Sequence, residues 1–256
     1  MKPIITIIIP NFNKQEYLEE CIDSVVKQSF TEWNLIIIDD NSTDNSISLL
    51  SNYEKNKKIK LIKLKKNKGP SFCRNLGMRL STTKYLAFLD SDDYWDIDKL
   101  KEQINFMIRQ NFKITFSDYY VFRENQKGNI INLTNVPNSF NLDSFMNNSS
   151  INTSTLILEK SIIGSTKFKK IPLLEDYIFK CDLLRKKLTA YKFNKCNTAY
   201  RLTDATRSSS RMKNLLILWR VNKRYNKLNF FRNFISILSI SFNSLKKYGL
   251  AKYTKY

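Results

Sequence analysis

Histidine is absent from this 256-residue chain. That removes the Ser-His-Asp and Cys-His catalytic designs and the usual His-ligated zinc sites at one stroke. Proton chemistry must fall to a carboxylate, Lys, Tyr or Cys. Cysteine is sparse too: Cys21, Cys73, Cys181 and Cys196 form no CxxC pair, so they read as buried free thiols in a reducing compartment. No stretch reaches the roughly 20 apolar residues of a membrane span, and the Ile/Thr run from Ile4 to Ile9 is too short for a secretory signal, so a cytoplasmic location is expected. Acidic residues vanish altogether from Ala205 to Tyr256, where twelve Lys and Arg remain. More than half of the net charge of +20 therefore sits in the last fifth of the chain, and an anionic partner is expected. The abundance of Ile, Asn and Lys also fits a low-GC coding bias, so charge alone does not specify nucleic acid. What is present, 42% hydrophobic and 13% aromatic residues, is enough to fill the core of one sizeable domain.

Ile4 to Ile9 is a β-branched run ended by Pro10, suited to a strand buried on both faces of a parallel sheet. Asn13 and Glu16 have the spacing of a capping box, and Tyr17, Leu18, Cys21, Ile22, Val25 and Val26 then recur at helical spacing. Leu35 to Ile38, Ile59 to Leu64 and Tyr85 to Leu89 read as further strands, separated by helical patterns at Ser46 to Tyr53 and Ser71 to Leu80. This βαβαβαβ alternation calls for a doubly wound sheet with its ligand beyond the carboxyl ends of the strands. After Asp93 the pattern changes: a helix from about Asp98 to Gln110, a strand near Ile114 to Phe122, an Asn/Ser-rich region over 124–155 with little periodicity, and an amphipathic helix from Glu175 to Leu188. Domain boundaries are expected as a catalytic domain over 1–210, with a nucleotide-binding half at about 1–95 and an acceptor half at 96–210, followed by a basic helical tail over 211–256.

Two acidic clusters sit where such a sheet places ligands. Asp39 and Asp40 follow the second strand, and Asp90, Asp92 and Asp93 follow the fourth. Crowded carboxylates resist joint ionisation unless a cation or donors stabilise them, and oxygen ligands in a His-free chain suit Mg²⁺ or Mn²⁺ bridged to phosphates. Acidic turns after strands also serve as plain helix caps. The joint occurrence favours the metal reading.

The segments TIIIPNFN (Thr6 to Asn13), IIIDDNSTD (Ile36 to Asp44), GPSFCRNLG (Gly69 to Gly77), FLDSDDYW (Phe88 to Trp95) and LEDY (Leu174 to Tyr177) occur in one order over roughly residues 4–204. As a set they resemble the family 2 glycosyltransferases, inverting enzymes of the GT-A fold, in their bacterial surface-polysaccharide form. The resemblance implies an α/β protein with a single Rossmann-like mixed sheet and assigns roles by position. Pro10, Asn11 and Asn13 line the nucleotide pocket, Asp40 accepts from uracil, Arg74 contacts the nucleotide or its phosphates, and Asp90 lies near the ribose. Asp92 binds the Mn²⁺ or Mg²⁺ that neutralises the diphosphate. Asp176 is the general base that deprotonates an acceptor hydroxyl, so that one displacement turns an α-linked UDP-sugar into a β-glycoside. Glu175, Asp93 and Trp95 are candidate contacts to the donor sugar or acceptor, with Trp95 equally readable as a core aromatic, and Asn152, Thr153 and Ser154 are weaker candidates.

One departure stands out. Where many relatives carry a His after a Tyr-Arg pair, Tyr200-Arg201 is followed by Leu202 and Thr203. Asp204 is one substitute ligand. Arg201, Arg207 and Arg211 as direct diphosphate contacts are the alternative we favour, since guanidinium forks suit phosphate oxygens. The tail adds Phe230, Phe231, Phe234, Ile235, Ile237, Leu238, Ile240, Phe242 and Leu245 among its cations, a pattern expected of a helix lying at an anionic membrane surface. Packing of these residues on the domain, with solvated Lys, is the plainer alternative. The expected function is sugar transfer from a UDP-sugar to a lipid-diphosphate-linked O-antigen or capsule intermediate, by a protein peripheral on the inner face of the cytoplasmic membrane. A nucleotidyltransferase is disfavoured because PNFNKQEYL holds no Gly-rich phosphate loop. A nucleic-acid-binding protein is disfavoured because no aromatic platform or binding module appears in the first 200 residues.

Overall fold

The computed structural model describes residues 2–123, 130–133, 136–202 and 211–248. The first half alternates β1 (Ile5–Asn11), α1 (Gln15–Val26), β2 (Trp33–Asp39), α2 (Ser46–Ser51), β3 (Ile59–Lys63), α3 (Pro70–Leu80) and β4 (Tyr85–Phe88). There follow β5 (Tyr94–Trp95), α4 (Lys99–Arg109), β6 (Ile114–Arg123), β7 (Ile130–Leu133), β8 (Ser139–Phe140), α5 (Leu142–Asn148), β9 (Ile157–Glu159), α6 (Glu175–Leu184), β10 (Ala190–Leu202), α7 (Arg211–Val221) and α8 (Phe230–Tyr248). The strands make one sheet in the order β3-β2-β1-β4-β9-β6-β10-β5, with β7 beside β6 and β8 beside β10. The four strands from β3 to β4 are parallel, and β9 enters antiparallel between β4 and β6. The sheet is therefore mixed, as expected.

The isoleucine run shows how sequence sets this sheet. Alternation sends Ile8 into the core on one face and Ile5, Ile7 and Ile9 into the core on the other. All four are fully buried, at roughly 1.5–3 kcal/mol of apolar burial each. β1 does not stop at Pro10 but runs to Asn11. Leu89 donates to the Ile8 carbonyl just past the end of β4. By the two-residue period Pro10 turns the same way as Ile8, toward an edge that β4 no longer occupies, so its missing N–H leaves no gap in the ladder. Beneath β1, Gly77 of α3 lies so close that a Cβ there would meet Ile8 Cγ2 at 2.5 Å.

Several expectations need correction. Asn13 does not cap α1: it takes a left-handed φ of 50°, and the Gln15 N–H is instead satisfied by Asp44 Oδ2 at 3.0 Å. Val26 is exposed. The 124–155 region holds β7, β8 and α5, the last with a true capping box between Asn141 and Ser144. β10 was not anticipated; its burial does not alternate, and its pairing with β6 shifts register twice. α6 ends at Leu184 rather than Leu188, shortly before Lys187 takes a left-handed φ of 60°.

Over the described residues 211–248 the tail forms two helices joined by a π-helical turn over Asn222–Asn226. It is no detached appendage. Leu218 and Val221 are buried in the same core as α3 and α6, and buried Asn222 accepts from Tyr177 Oη at 2.9 Å while donating to Asn233 and Ser236 of α8. Charge changes at the start of α7, while the packing of α7 on the core is continuous. Among the described residues no helix is long and apolar enough to cross a membrane.

Candidate active site

The carboxyl ends of β1, β2 and β4 open onto a cavity of about 810 Å³. Pro10, Asn11, Asn13, Asp40, Arg74, Asp90, Asp92, Glu175, Asp176 and Arg201, widely separated in sequence, all line it.

The two acids after β2 divide their work. Asp39 is fully buried and accepts from Asn11 Nδ2 (2.8 Å), Ser42 N–H (2.9 Å) and Ser42 Oγ (2.6 Å), so it shapes the loop. Asp40 faces the cavity and accepts the backbone N–H groups of Lys68 and Gly69, each at 2.7 Å. Gly69 holds φ 85°, a conformation side-chain-bearing residues rarely adopt, and Pro70 then starts α3. A carboxylate carries about four lone-pair sites. Asp40 therefore retains acceptor capacity toward the cavity, and beside it the buried Asn11 Oδ1 has no protein donor.

Arg74 is almost fully buried and spends its guanidinium within the protein, on Asp90 (Nη2 to Oδ1, 2.6 Å) and Glu175 (Nη1 to Oε1, 3.3 Å). It thereby ties the end of β4 to the start of α6, and its Nε is left without a partner. Asp93 points inward. It accepts from Ser154 Oγ at 2.6 Å and from the Arg201 N–H at 3.1 Å, and burial, reinforced by the charges of Asp92 and Asp90, pushes its carboxyl well above the usual range. Trp95 is also interior: it is buried in the core, its Nε1–H donates to the Ser154 carbonyl at 2.8 Å, and Lys99 Nζ sits 3.8 Å from its ring centroid. The sugar-contact roles expected of Asp93 and Trp95 are corrected accordingly; both hold the walls instead.

Asp90 and Asp92 both line the cavity with one carboxylate oxygen in an ion pair: Asp90 Oδ1 with Arg74, and Asp92 Oδ2 with Lys14 Nζ at 2.7 Å. Arg201, on β10, is 5% exposed. Its Nε donates to the Asp92 carbonyl, its guanidinium pairs with Glu20, and it stacks over Tyr17 and Phe122. It is a wall residue more than a free diphosphate clamp. Thr203, Asp204 and Arg207 lie outside the described residues, and Arg211 opens α7 with its side chain outside them.

Asp176 stands in the first turn of α6, directly after Glu175 and the left-handed Leu174 (φ 65°). A bulky residue in that conformation is strained, and here it turns the chain so that the helix start faces the cavity. Asp176 Oδ2 accepts from Lys180 Nζ at 2.8 Å and Thr153 Oγ1 at 3.1 Å. Lys180 itself is 3% exposed and also donates to the Ile151 carbonyl at 2.7 Å. Burial raises the Asp176 carboxyl, but the Lys180 charge and hydrogen bond, the Arg74 charge and the Tyr177 N–H outweigh it and hold the group at about 2. The carboxylate is thus ionised, oriented and open to the cavity, which is what a base needs before it receives a proton. Lys14 and Lys180 were not foreseen. The i,i+4 spacing of Asp176 and Lys180 was available as a signal, whereas the Lys14–Asp92 contact joins distant loops and left none.

The GT-A fold implies a divalent cation. Among the described residues no group of three or more His, Cys, Asp or Glu could hold a metal ion; with Asp93 interior, the protein offers Asp92 and the open edge of Asp90, each already paired with a cation. That donor set fits Mg²⁺ or Mn²⁺ held mainly by substrate phosphates and water, the usual arrangement for such ions at nucleotides. It does not fit a protein-only cage.

Comparison with known proteins defines the class. The glycosyl transferase family 2 model matches residues 6–168, and the chain belongs to that family. It is 32% identical over 248 residues to TuaG of Bacillus subtilis (strain 168), assigned by name to teichuronic acid biosynthesis as a glycosyltransferase, covering 96% of this chain and 98% of that one. It is 27% identical over 218 residues to the Escherichia coli UDP-Glc:alpha-D-GlcNAc-diphosphoundecaprenol beta-1,3-glucosyltransferase WfgD, covering 85% of each. Staphylococcus aureus TarS 1–349, solved with UDP-GlcNAc, superposes with a TM-score of 0.70 at 18% identity, over 96% of this chain and 73% of that one. The protein is a glycosyltransferase of the GT-A fold.

Proposed function

We propose that this enzyme transfers a sugar from a UDP-sugar to a hydroxyl of a lipid-diphosphate-linked glycan, an O-antigen or capsule intermediate, with inversion to a β-linkage. The observation that carries the reading is the placement of Asp176: an ionised carboxylate, held on one oxygen by Lys180 and Thr153, on the same cavity wall system as Asp40, Asp90 and Asp92. Asp40 and the unpartnered Asn11 Oδ1 suit the imide N–H of a uracil. Asp90, fixed by Arg74, is left to meet the ribose. Asp92 would hold the divalent cation, which when bound supplies Lewis-acid neutralisation of the departing diphosphate. With Oδ2 taken, Oδ1 of Asp176 accepts the proton of the attacking hydroxyl. No protein nucleophile is then required, and a single displacement gives the opposite anomer. A UDP-sugar donor and a diphosphate-lipid acceptor also agree with what WfgD is named for. The acid-free, basic C-terminal stretch favours work at an anionic membrane surface on the cytoplasmic side.

The test is a panel of UDP-sugars with Mn²⁺ and a synthetic lipid-diphosphate acceptor, with the product's anomeric configuration read by NMR. A β-linked product from an α-linked UDP-sugar is expected. Retention of configuration, or transfer only from donors with another base, overturns the proposal.

A further inference from the structure

α8 is built the wrong way round for a helix in water. At about 100° per residue, Phe230, Phe231, Phe234, Ile235, Leu238 and Phe242 fall within one arc of about 140°, and all six are exposed, from 51% for Phe234 to 76% for Phe231. The opposite arc, which faces the protein, is rich in polar groups. Asn233 and Ser236 are buried, Asn233 Nδ2 donates to the Trp219 carbonyl at 3.0 Å, Ser236 Oγ to the Met146 carbonyl at 2.6 Å, and Asn243 Nδ2 to the Asn147 carbonyl at 3.3 Å. Hydrogen bonds to α5 and α7 therefore fix the rotation of α8 and hold its aromatic stripe outward. A continuous apolar surface of this kind marks a site of contact.

The same helix reaches the active site. Ile240 and Ser244, on its inner arc, line the cavity beside Asn148, Ser149 and Ser150, which follow directly from the α5 end that α8 grips. Thr153, the partner of Asp176, comes three residues later.

We propose that the outer face of α8 inserts into the interface of an anionic phospholipid membrane, and that its inner face is the acceptor-side rim of the cavity, so that the enzyme glycosylates an acceptor whose lipid stays in the bilayer. This rests on the transfer reading above and adds to it the surface and its orientation. The charge selects lipid over a second copy of the chain. Arg220, Lys223, Arg224 and Lys227, on the segment that leads into α8, and Arg232 on α8 itself are exposed, and no Asp or Glu follows Asp204. Anionic headgroups complement that set, whereas a two-fold interface through α8 would bring its cations against their own copies. The helix lies on the membrane rather than across it, since its inner arc is committed to the protein.

The full-length protein and the Phe231→Ser/Phe234→Ser/Phe242→Ser variant are compared in flotation with vesicles of phosphatidylglycerol and phosphatidylcholine in equal parts. Trp219, which packs edge-on to Phe230, reports insertion through quenching by brominated lipid. Both proteins are then assayed on a lipid-diphosphate acceptor in the same vesicles and on a short-chain, water-soluble analogue. The account predicts vesicle binding and Trp219 quenching by the wild type, weakening of binding by at least about tenfold in the variant, loss of turnover on the vesicle acceptor, and unchanged turnover on the soluble one. Lys223→Glu/Lys227→Glu, which leaves the stripe intact, should weaken binding to these vesicles in the same direction. Equal binding by all three proteins overturns the proposal, as does a wild-type dimer that the triple variant converts to a monomer. Vesicle binding with no transfer from any UDP-sugar to either acceptor upholds the inserted face and refutes the transfer reading beneath it.

Discussion

Replacing Lys180 with Met should shift the pH dependence of catalysis, because Lys180 is the main group holding Asp176 ionised against burial. The drop of the Asp176 carboxyl from its ordinary 3.8 to about 2 is worth roughly 2.5 kcal/mol of preference for the charged form, and about 1–1.5 kcal/mol once water in the cavity screens it. The side chain is 37% exposed there, so the smaller figure is the one to use. In Lys180→Met the opposing effect of burial is unmasked, and the acid limb of kcat/KM should move up by at least about one pH unit, so that between about pH 3 and pH 8 the variant loses activity toward the acid end where the wild type stays flat. Lys180→Arg, which keeps the charge, should leave the limb in place. The same shift enters stability with a definite sign. A carboxyl that titrates below its unfolded value stabilises the fold fully above about pH 4, and that contribution fades as the pH falls through about 2; Lys180→Met should lose it throughout the neutral range. An acid limb that stays put while the rate merely falls would refute the reasoning, since Asp176 would then not be the group whose ionisation limits the reaction.

Other expectations are simpler. Gly77→Ala places a Cβ 2.5 Å from a fully buried Ile8, which should cost about 1–3 kcal/mol and lower the Tm by several degrees, with Ile8→Val recovering part of the loss; an unchanged melting curve contradicts the close packing of α3 on β1. Chelation of divalent ions should abolish transfer while leaving the Tm of the substrate-free protein unaltered, because Asp90 and Asp92, each already paired with a cation, cannot hold the ion without a diphosphate; a large drop in Tm would reveal a structural site.

The parallel half of the fold was readable because its information is local. Each strand from β1 to β4 is a short β-branched or aromatic run, each helix repeats at its own period, and the motifs fall at strand ends. Beyond Asp93 the decisive contacts are long-range. β10 alternates poorly, since it pairs with β6, β8 and β5 along its length and shifts register, and no window of sequence shows that. The gathering of Asp40, Asp90, Asp92 and Asp176 followed from the motif order. The allocation of their partners did not: Arg74 and Arg201 look like free phosphate binders in the sequence, yet Arg74 pairs with Asp90 and with Glu175, 16 and 101 residues away, and Arg201 with Glu20, 181 residues away. Trp95 illustrates the same limit, its position after the acidic cluster suggesting a sugar platform while the core claims its ring. In the tail the composition gave the apolar and basic character, but which arc of α8 faces out is decided by Asn233 and Ser236, polar residues that any hydropathy pattern would assign to solvent.

Asp176, as the proposed base, should take the acceptor's proton and do nothing essential for donor binding. Titration calorimetry of UDP into Asp176→Asn, paired with single-turnover transfer on the lipid-diphosphate acceptor, tests it directly. The account predicts a Kd for UDP within about twofold of the wild type and a transfer rate lower by about 10²–10⁴. Near-normal transfer, or a rate loss matched by an equal loss of UDP affinity, contradicts it.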